Sequence, residues 1–360
     1  MKSLQMQNNH SVAVVDIFCG AGGLTHGFIQ EGFNVVAGID FDGTCQYPYE
    51  FNNHTKFINA DILTLSATTV KRYLSNASTK IIIGCAPCQP FSTYNNGDRK
   101  KDNKWRLLYR FAKIIKAVSP DIFSMENVPA LETFDRGKVL NDFIMTLGNA
   151  GYTIKKFIVN CPEYAIPQQR KRLVVMGSKY GTIELIPPIC KNPQEYKTVR
   201  ETISHLPPIN AGEISATDHL HRAAGLTKLN LARIQASIPG GTWRDWPENL
   251  VANCHKKTTG ATFSSVYGRM AWDLPAPTIT TLCFGYGNGR FGHPEQNRAI
   301  SLREAALLQT FPETYQFTKE EQIPNLMIVG RQIGNAVPVK LGRIIAQSIA
   351  IHIHSIGRTL

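Results

Sequence analysis

A cysteine and a glutamate, each following an apolar run, are the residues of this sequence best suited to covalent and acid–base chemistry. Cys88 lies in the segment 84–92, which is rich in glycine and proline and follows the isoleucine run 81–83. Glu126 lies shortly after the apolar residues 122–123. Because the carboxyl ends of parallel strands share one edge of a sheet, we expect these two side chains to meet there. We interpret them as a nucleophile and an acid.

Cys85 and Cys88 also form a Cys-x-x-Cys pair, a pattern found in zinc sites and in redox-active disulfides. A structural zinc site needs about four ligands, and the sequence has no second such pair at zinc-finger spacing. A redox pair normally opens a helix, whereas Pro87 and Pro90 favour a turn. A free cysteine is also often a small buried hydrophobe. We favour a single reactive thiol at Cys88 and expect no bound metal.

Strand and helix signals alternate around these residues. Apolar runs at 12–18, 34–39, 80–83 and 121–125 predict buried strands, and the apolar spacing predicts a helix over 105–118. This alternation is typical of an α/β fold with a mostly parallel sheet. Proline and glycine pairs, with poor helical periodicity, predict a smaller, irregular, β-rich domain over 181–300. Helical patterns return at 303–309 and 338–352.

A glycine-rich turn, 20–23, connects the first predicted strand to the first predicted helix. Glycines there let the backbone approach a ligand that faces the helix N-terminus. Thr25 departs from the dinucleotide-binding fingerprint, which has a glycine at that position. Asp40 ends the second strand, where a carboxylate can bind ribose hydroxyls. Asp61 follows a third strand and suits either an adenine amino group or a helix N-cap. Together these residues suggest an adenosyl cofactor.

Gln168, Arg170 and Arg172 alternate along the segment before the apolar run 173–176, so we expect them to share one face of a strand. Two arginines on one face suit anion binding or charge stabilisation. A solvated edge strand carrying charges that prevent aggregation is the alternative interpretation.

The composition favours a polyanionic partner. The 360-residue chain has a formal net charge of +12, and nucleic acid is the leading candidate for its partner. The eight cysteines are scattered, and residues 1–11 are polar without the apolar core of a secretory signal. We therefore predict reduced thiols in a cytoplasmic protein. No apolar run approaches the length of a membrane span, so we expect no membrane association.

Taken together, these motifs resemble the cytosine-C5 DNA methyltransferases, in that family's usual order along most of the chain. The matching segments are 16–23, 87–89, 126–128, 168–172, 303–306 with 309–312, and 334–338. The resemblance implies a Rossmann-like S-adenosylmethionine-dependent methyltransferase fold. It also implies a catalytic and cofactor-binding domain over 1–200 and 303–360, with a target-recognition domain over 201–302.

The resemblance further implies methyl transfer from S-adenosylmethionine to C5 of a flipped-out cytosine in double-stranded DNA, leaving S-adenosylhomocysteine. Cys88 would attack cytosine C6, Glu126 would assist at N3, and Arg170 would contact the cytosine carbonyl, with Arg172 also catalytic. The implied cofactor-binding residues are Phe18, Ala21, Gly22, Gly23, Asp40, Phe41, Asp61, Ile62, Pro87, Leu107, Asn335 and Val337. The implied DNA-binding residues are Ser92, Gln168, Arg269 and Thr281.

The compact chain suggests a prokaryotic modification enzyme of a restriction-modification system. We also expect a monomer, and a companion endonuclease that forms no stable complex with it. An RNA (tRNA) cytosine methyltransferase is the main alternative, although the context 89–92 and the long variable region favour DNA. A catalytically silent DNA-binding relative is disfavoured by the presence of Cys88 and Glu126, and a nicotinamide oxidoreductase by Thr25. The recognised DNA sequence does not follow from these motifs.

Overall fold

The computed structural model describes residues 12–87, 105–258, 260 and 262–360. Seven strands among these residues form one sheet, in the order β3-β2-β1-β4-β5-β7-β6. They are β1 (Val12–Ile17), β2 (Val35–Asp40), β3 (Lys56–Asn59), β4 (Thr79–Cys85), β5 (Ile122–Asn127), β6 (Thr153–Asn160) and β7 (Lys171–Ser178). Neighbouring strands among β1 to β5 run parallel, and β7 runs antiparallel to β5. The predicted α/β fold with a mostly parallel sheet is therefore confirmed.

The described residues also form α-helices. They are α1 (Gly23–Gln30), α2 (Gln46–Asn53), α3 (Ala67–Leu74), α4 (Arg106–Val118), α5 (Lys138–Gly148), α6 (Val199–Ile203), α7 (Lys228–Ala236), α8 (Leu302–Leu308), α9 (Leu326–Asn335) and α10 (Val339–Ser355). Leu326–Ser355 is long and apolar enough to pass a length-and-composition test for a membrane span. However, 67% of the window that passes is buried inside the protein, as is typical of a core helix.

The chain divides into two compact units. The first comprises Met1–Val159, Lys171–Pro187 and Val339–Leu360, and the second comprises Asn160–Arg170 and Pro188–Pro338. These units are defined by contacts between residues. The predicted domain boundaries at residues 200 and 302 are instead based on the positions of the sequence motifs. The assignment of 201–302 to target recognition stays a prediction.

In the first unit the central strands are buried on both faces, which is why they appear in the sequence as continuous apolar runs. One face packs against α3, α4 and α5 in an apolar core that includes Ile82, Phe111 and Phe143. On the other face α1 packs against α10. A Cβ at Gly27 would lie 2.5 Å from the carbonyl oxygen of Val339, so only glycine permits this approach of the two helices.

The order of the strands reverses between β1 and β4, the two neighbours at the centre of the sheet. In open α/β sheets, ligands bind in the crevice outside the carboxyl ends of the strands at such a reversal. The glycine turn 20–23 follows β1, and the segment leading to Cys88 follows β4. The fold therefore brings the two main sequence motifs to the edge where a ligand is expected.

The second unit is irregular, as predicted, but its described residues do not form the regular strands expected of a β-rich domain. Their pairing consists of isolated bridges, such as Gln168 with Ala276 and Arg269 with Gly292. Helices with side-chain caps provide the regular structure, including α6, which has a capping box of Thr198 and Glu201. The frequent prolines and glycines interrupt longer ladders, because proline lacks a donor and glycine weakens a strand.

Candidate active site

Glu126 lies near the end of β5 and is 2% exposed. The register of the sheet places it directly beside Cys85 of β4 and Val174 of β7. The thiol of Cys85 donates a hydrogen bond to Glu126 Oε2 over 2.8 Å. Arg172 Nε lies 2.8 Å from Glu126 Oε1 in an ion pair. Side chains from two neighbouring strands therefore hold the two carboxylate oxygens.

Arg172 is two residues from Val174, so strand alternation puts it on the same face of the sheet as Glu126. The side chains of Arg172 and Glu126 are 10% and 3% exposed, so their ion pair is largely desolvated. Such a pair can orient the acid and stabilise negative charge on a bound ligand. The predicted nucleophile Cys88 and the predicted DNA contact Ser92 lie outside the described residues. The structure brings together Glu126 and Arg172, two of the predicted catalytic residues.

The glycine turn adopts a backbone that few residue types tolerate. Gly22 has φ 93°, and even Phe18 lies in the left-handed region at φ 65°. The backbone N–H of Gly20 donates to Asp40 Oδ2, and that of Asp42 donates to Asp40 Oδ1, each over 2.9 Å. Burial raises the pKa of the Asp40 carboxyl, against the opposing effect of these N–H groups. Asp40 thus ties the turn to the end of β2.

Several features beside this turn suit an adenosyl group. The first turn of α1 has no acidic residue and no side-chain cap among the described residues, so its N–H groups can face an anion or a polar ligand. Phe41, just after β2, is 75% exposed and so offers an aromatic surface for stacking. Asp61 is exposed, and Ile62 beside it is buried. These properties fit a cofactor with an adenine and a ribose.

The other predicted cofactor residues differ in burial. Ala21, Gly23 and Val337 are buried, Pro87 and Leu107 are half-buried, and Asn335 is exposed. Asn335 and Val337 belong to the second unit, and the others belong to the first. Their roles in cofactor binding stay predictions. No group of three or more His, Cys, Asp and Glu side chains in the described part of the chain is arranged to hold a metal ion.

A buried chain of hydrogen bonds beneath the glycine turn has no role in the sequence-based prediction. The Thr25 hydroxyl donates to Asp16 Oδ2 over 2.7 Å, and Thr25 Oγ1 lies 3.1 Å from the Tyr49 hydroxyl. Asp16 is fully buried, and its Oδ1 has no hydrogen-bond partner among the described residues. A Cβ at Gly38 would lie 2.2 Å from Tyr49 Cζ, so Gly38 makes room for the tyrosine ring. Thr25 in place of glycine is the one sequence signal of this arrangement.

Asp16→Asn should remove a pH dependence from the stability of the cofactor-free protein. Burial raises the pKa of the Asp16 carboxyl to about 8, whereas an unfolded aspartate has a pKa of about 3.9. The folded state therefore keeps a proton that the unfolded state releases, and this stabilisation is lost as pH rises to about 8. The slope contributed by Asp16 is up to about 1.4 kcal/mol per pH unit. Urea unfolding at several pH values between about 4 and about 8 measures this slope.

Asp61→Asn is the matched control, because Asp61 is an exposed aspartate of the same unit. We expect its free energy of unfolding to follow the wild-type pH dependence, while that of Asp16→Asn is flatter. Parallel curves for wild type and Asp16→Asn would contradict the assignment.

In the second unit, Gln168 organises the arginine motif. Its Nε2 donates to Gln309 Oε1 over 2.9 Å and to the Leu308 carbonyl over 3.2 Å, and its Oε1 accepts from the Ile279 N–H over 2.9 Å. Gln168 is fully buried. Its amide therefore bonds within the unit and positions Arg170, and its contact with DNA stays a prediction. Arg170 is 5% exposed and donates to Gln168 Oε1 and to the Ile279 carbonyl.

Arg269, another predicted DNA contact, is also held inside the second unit. It is 4% exposed, and all three guanidinium nitrogens donate to acceptors within the unit. These acceptors are the carbonyl oxygens of Ile234, Ser237, His293 and Gln296 and the side chain of Asn297. The donors of Arg269 are thus used inside the protein, and its contact with DNA stays a prediction. Thr281 is half-buried, and its contact with DNA stays a prediction.

Comparisons with known proteins agree with this geometry. Residues 12–350 match the family model described as C-5 cytosine-specific DNA methylase. The Type II methylase M.HgiDII of Herpetosiphon aurantiacus is 56% identical over 337 residues, which cover 94% of each chain. The Type II methyltransferase M1.HphI of Haemophilus parahaemolyticus is 31% identical over 94% of this chain and 87% of its own length.

Solved structures share the fold. A protein described as a DNA modification methyltransferase encoded within an E. coli prophage aligns with a TM-score of 0.73 at 21% identity, covering 96% of this chain and 100% of its own. The S. pombe Dnmt2 methyltransferase aligns with a TM-score of 0.62 at 17% identity, covering 96% of this chain and 99% of its own. The Rossmann-like methyltransferase fold is confirmed. The chain therefore belongs to the C-5 cytosine-specific DNA methylase family and is a DNA cytosine-5-methyltransferase.

Proposed function

We propose that this methyltransferase is the modification enzyme of a restriction-modification system and that it acts through a covalent adduct between Cys88 and cytosine C6. The observation that carries the mechanism is the buried Glu126, held by Arg172, on the strand next to the one that leads to Cys88. The similarity to Type II modification enzymes supports the cellular role. A companion endonuclease, a monomeric state and a cytoplasmic location are parts of the same proposal.

The residues divide the chemistry as follows. Cytosine C5 is too weakly nucleophilic to accept a methyl group directly, so the Cys88 thiolate adds to C6 and makes C5 enamine-like. Glu126 donates a proton or a hydrogen bond to N3 as this bond forms. Arg170 and Arg172 orient the ring and the acid, respectively. Loss of the proton from C5 and elimination of the Cys88 thiolate then restore the aromatic ring.

S-adenosylmethionine, the methyl donor of this family, supplies the methyl group when bound. In the proposed pocket, the backbone of Phe18, Ala21, Gly22 and Gly23 would approach the cofactor. Asp40 would hold the ribose, and Phe41 would offer its ring to the adenine. The remaining proposed pocket residues are Asp61, Ile62, Pro87, Leu107, Asn335 and Val337. The uncapped start of α1 and the exposed Phe41 ring support this assignment.

Double-stranded DNA is the proposed substrate, and the formal charge of +12 favours its phosphates. The target cytosine must leave the helix, because its C5 and C6 atoms cannot be reached inside a duplex. Ser92 and Thr281 are the proposed contacts to DNA near the flipped base. Unstacking one base costs a few kcal/mol, which phosphate contacts must offset.

A trapping experiment tests this proposal. Wild type is incubated with S-adenosylmethionine and a duplex that contains 5-fluorocytosine, which has no C5 proton to lose. We expect a covalent complex that survives denaturing electrophoresis, formed by wild type and by Cys254→Ala, which removes an exposed thiol, but not by Cys88→Ala. A complex that forms equally with Cys88→Ala would refute the mechanism. Labelled methyl groups appearing in tRNA and not in DNA would refute the DNA substrate.

A further inference from the structure

Cys85 makes a contact that the proposed mechanism does not use. It is the last residue of β4, and the parallel ladder places it directly beside Glu126. Its thiol donates to Glu126 Oε2 over 2.8 Å. The contact therefore follows from two independent features, the register of the sheet and the orientation of the side chains.

The surroundings of this contact limit what else acts on the carboxylate. Arg172 of β7 lies at the opposite oxygen, 2.8 Å from Glu126 Oε1. On β1, Asp16 lies beside Ile83, one row away from Cys85 on the same face of the sheet. Among the described residues, Cys85 and Arg172 thus each contact one oxygen of the Glu126 carboxylate.

We propose that Cys85 is a positioning residue for Glu126, holding Oε2 until the target base arrives and then releasing it. This inference rests on the proposed role of Glu126 at cytosine N3. Arg172 already occupies Oε1, so Oε2 is the oxygen that must change partner. A thiol is a weak hydrogen-bond donor. Replacing its bond to Oε2 by a bond to the base therefore costs less free energy than replacing a bond from a stronger donor.

The proposal predicts an effect on the rate of methyl transfer. Without the Cys85 donor, Oε2 is no longer held in place before the target base arrives. The rate should therefore fall.

The kinetic test compares single-turnover methylation of duplex DNA for wild type, Cys85→Ala and Cys85→Ser. We expect Cys85→Ala to be slowed by about tenfold, in line with the loss of one hydrogen bond. Its KM for DNA should be unchanged. Cys85→Ser keeps a donor and should restore the wild-type rate. Cys190→Ala, which removes a buried thiol of the other unit, is the control.

Equal losses in Cys85→Ala and Cys85→Ser would show that the thiol only fills space and would overturn the proposal. Thermal unfolding and binding of S-adenosylhomocysteine identify any variant that is misfolded. If Cys85→Ala misfolds, the spectroscopic comparison below decides.

A spectroscopic test is independent of methyl transfer. The infrared S–H stretching band of Cys85, identified by its loss in Cys85→Ser, should lie at the low frequency of a thiol bonded to a carboxylate. We expect Glu126→Gln to move this band to higher frequency. A band that does not respond to Glu126→Gln would overturn the inference even if wild type methylates DNA. An active Glu126→Gln variant with a responsive band would instead refute the proposed role of Glu126.

Discussion

Glu126→Gln is expected to slow methyl transfer by about 10²–10³-fold, within the range that a positioned proton donor contributes. Glutamine has nearly the same size, but it has no carboxyl proton to give to cytosine N3. The change also deprives Arg172 of the charged partner that lies 2.8 Å from its Nε. The buried guanidinium of Arg172 then has no counter-ion and no longer orients the side chain at position 126. Both effects act on the same chemical step.

Single-turnover methylation of a duplex measures this loss, with binding of S-adenosylhomocysteine followed by calorimetry. Binding of S-adenosylhomocysteine should be unchanged, because the glycine turn 20–23 follows β1 and Asp40 ends β2, whereas Glu126 lies on β5. Glu132→Gln is the matched control, since Glu132 follows β5 and pairs at the surface with Lys156. A loss of less than about tenfold in Glu126→Gln would mean that proton donation at N3 comes from another group.

The sequence predicts the centre of the sheet well because buried parallel strands consist of continuous apolar residues. β1, β2, β4, β5 and α4 all lie within a few residues of their predicted bounds. β6 was not predicted: its exposed and half-buried positions, with Lys155 and Lys156 adjacent, give no apolar run. The many turns within residues 181–300 predict a β-rich domain because they resemble those that connect short strands. Turn residues identify where the chain bends, but they do not determine whether the segments between bends pair.

The candidate site could be predicted only in part. Motif spacing identifies Glu126 and Arg172, and the sheet brings them into contact. The bond from Cys85 depends on the register of β4 against β5, which no local pattern specifies. Arg269 shows a different limit. An arginine that satisfies buried carbonyl oxygens and one that binds phosphate have the same residue type, and only burial and hydrogen-bond partners distinguish them.

Glu304→Gln is expected to destabilise the second unit by about 3–5 kcal/mol, the range for breaking a buried ion pair by removing one partner. Arg298 and Glu304 are 0% and 1% exposed, and two guanidinium nitrogens of Arg298 donate to the two carboxylate oxygens over 2.7 Å each. Glu304 also accepts from the backbone N–H of Ser301, which caps α8. The substitution therefore leaves a buried positive charge and weakens the start of a helix. Urea unfolding at pH 7 measures the loss.

The same carboxylate predicts how stability changes in acid. Burial raises the pKa of Glu304, but the hydrogen bonds and charge of Arg298 outweigh burial and lower this pKa to about 2. An unfolded glutamate has a pKa of about 4.3, so this stabilisation is present above that pH and is lost as pH falls toward about 2. Glu304→Gln should lack this component of the acid dependence. Glu313→Gln, at an exposed glutamate paired with His205, should keep it. Equal free energies of unfolding for the two variants at pH 7 would contradict the prediction. The exposed pair of Glu313 and His205 should contribute little to stability, whereas the buried pair of Glu304 and Arg298 should contribute much more.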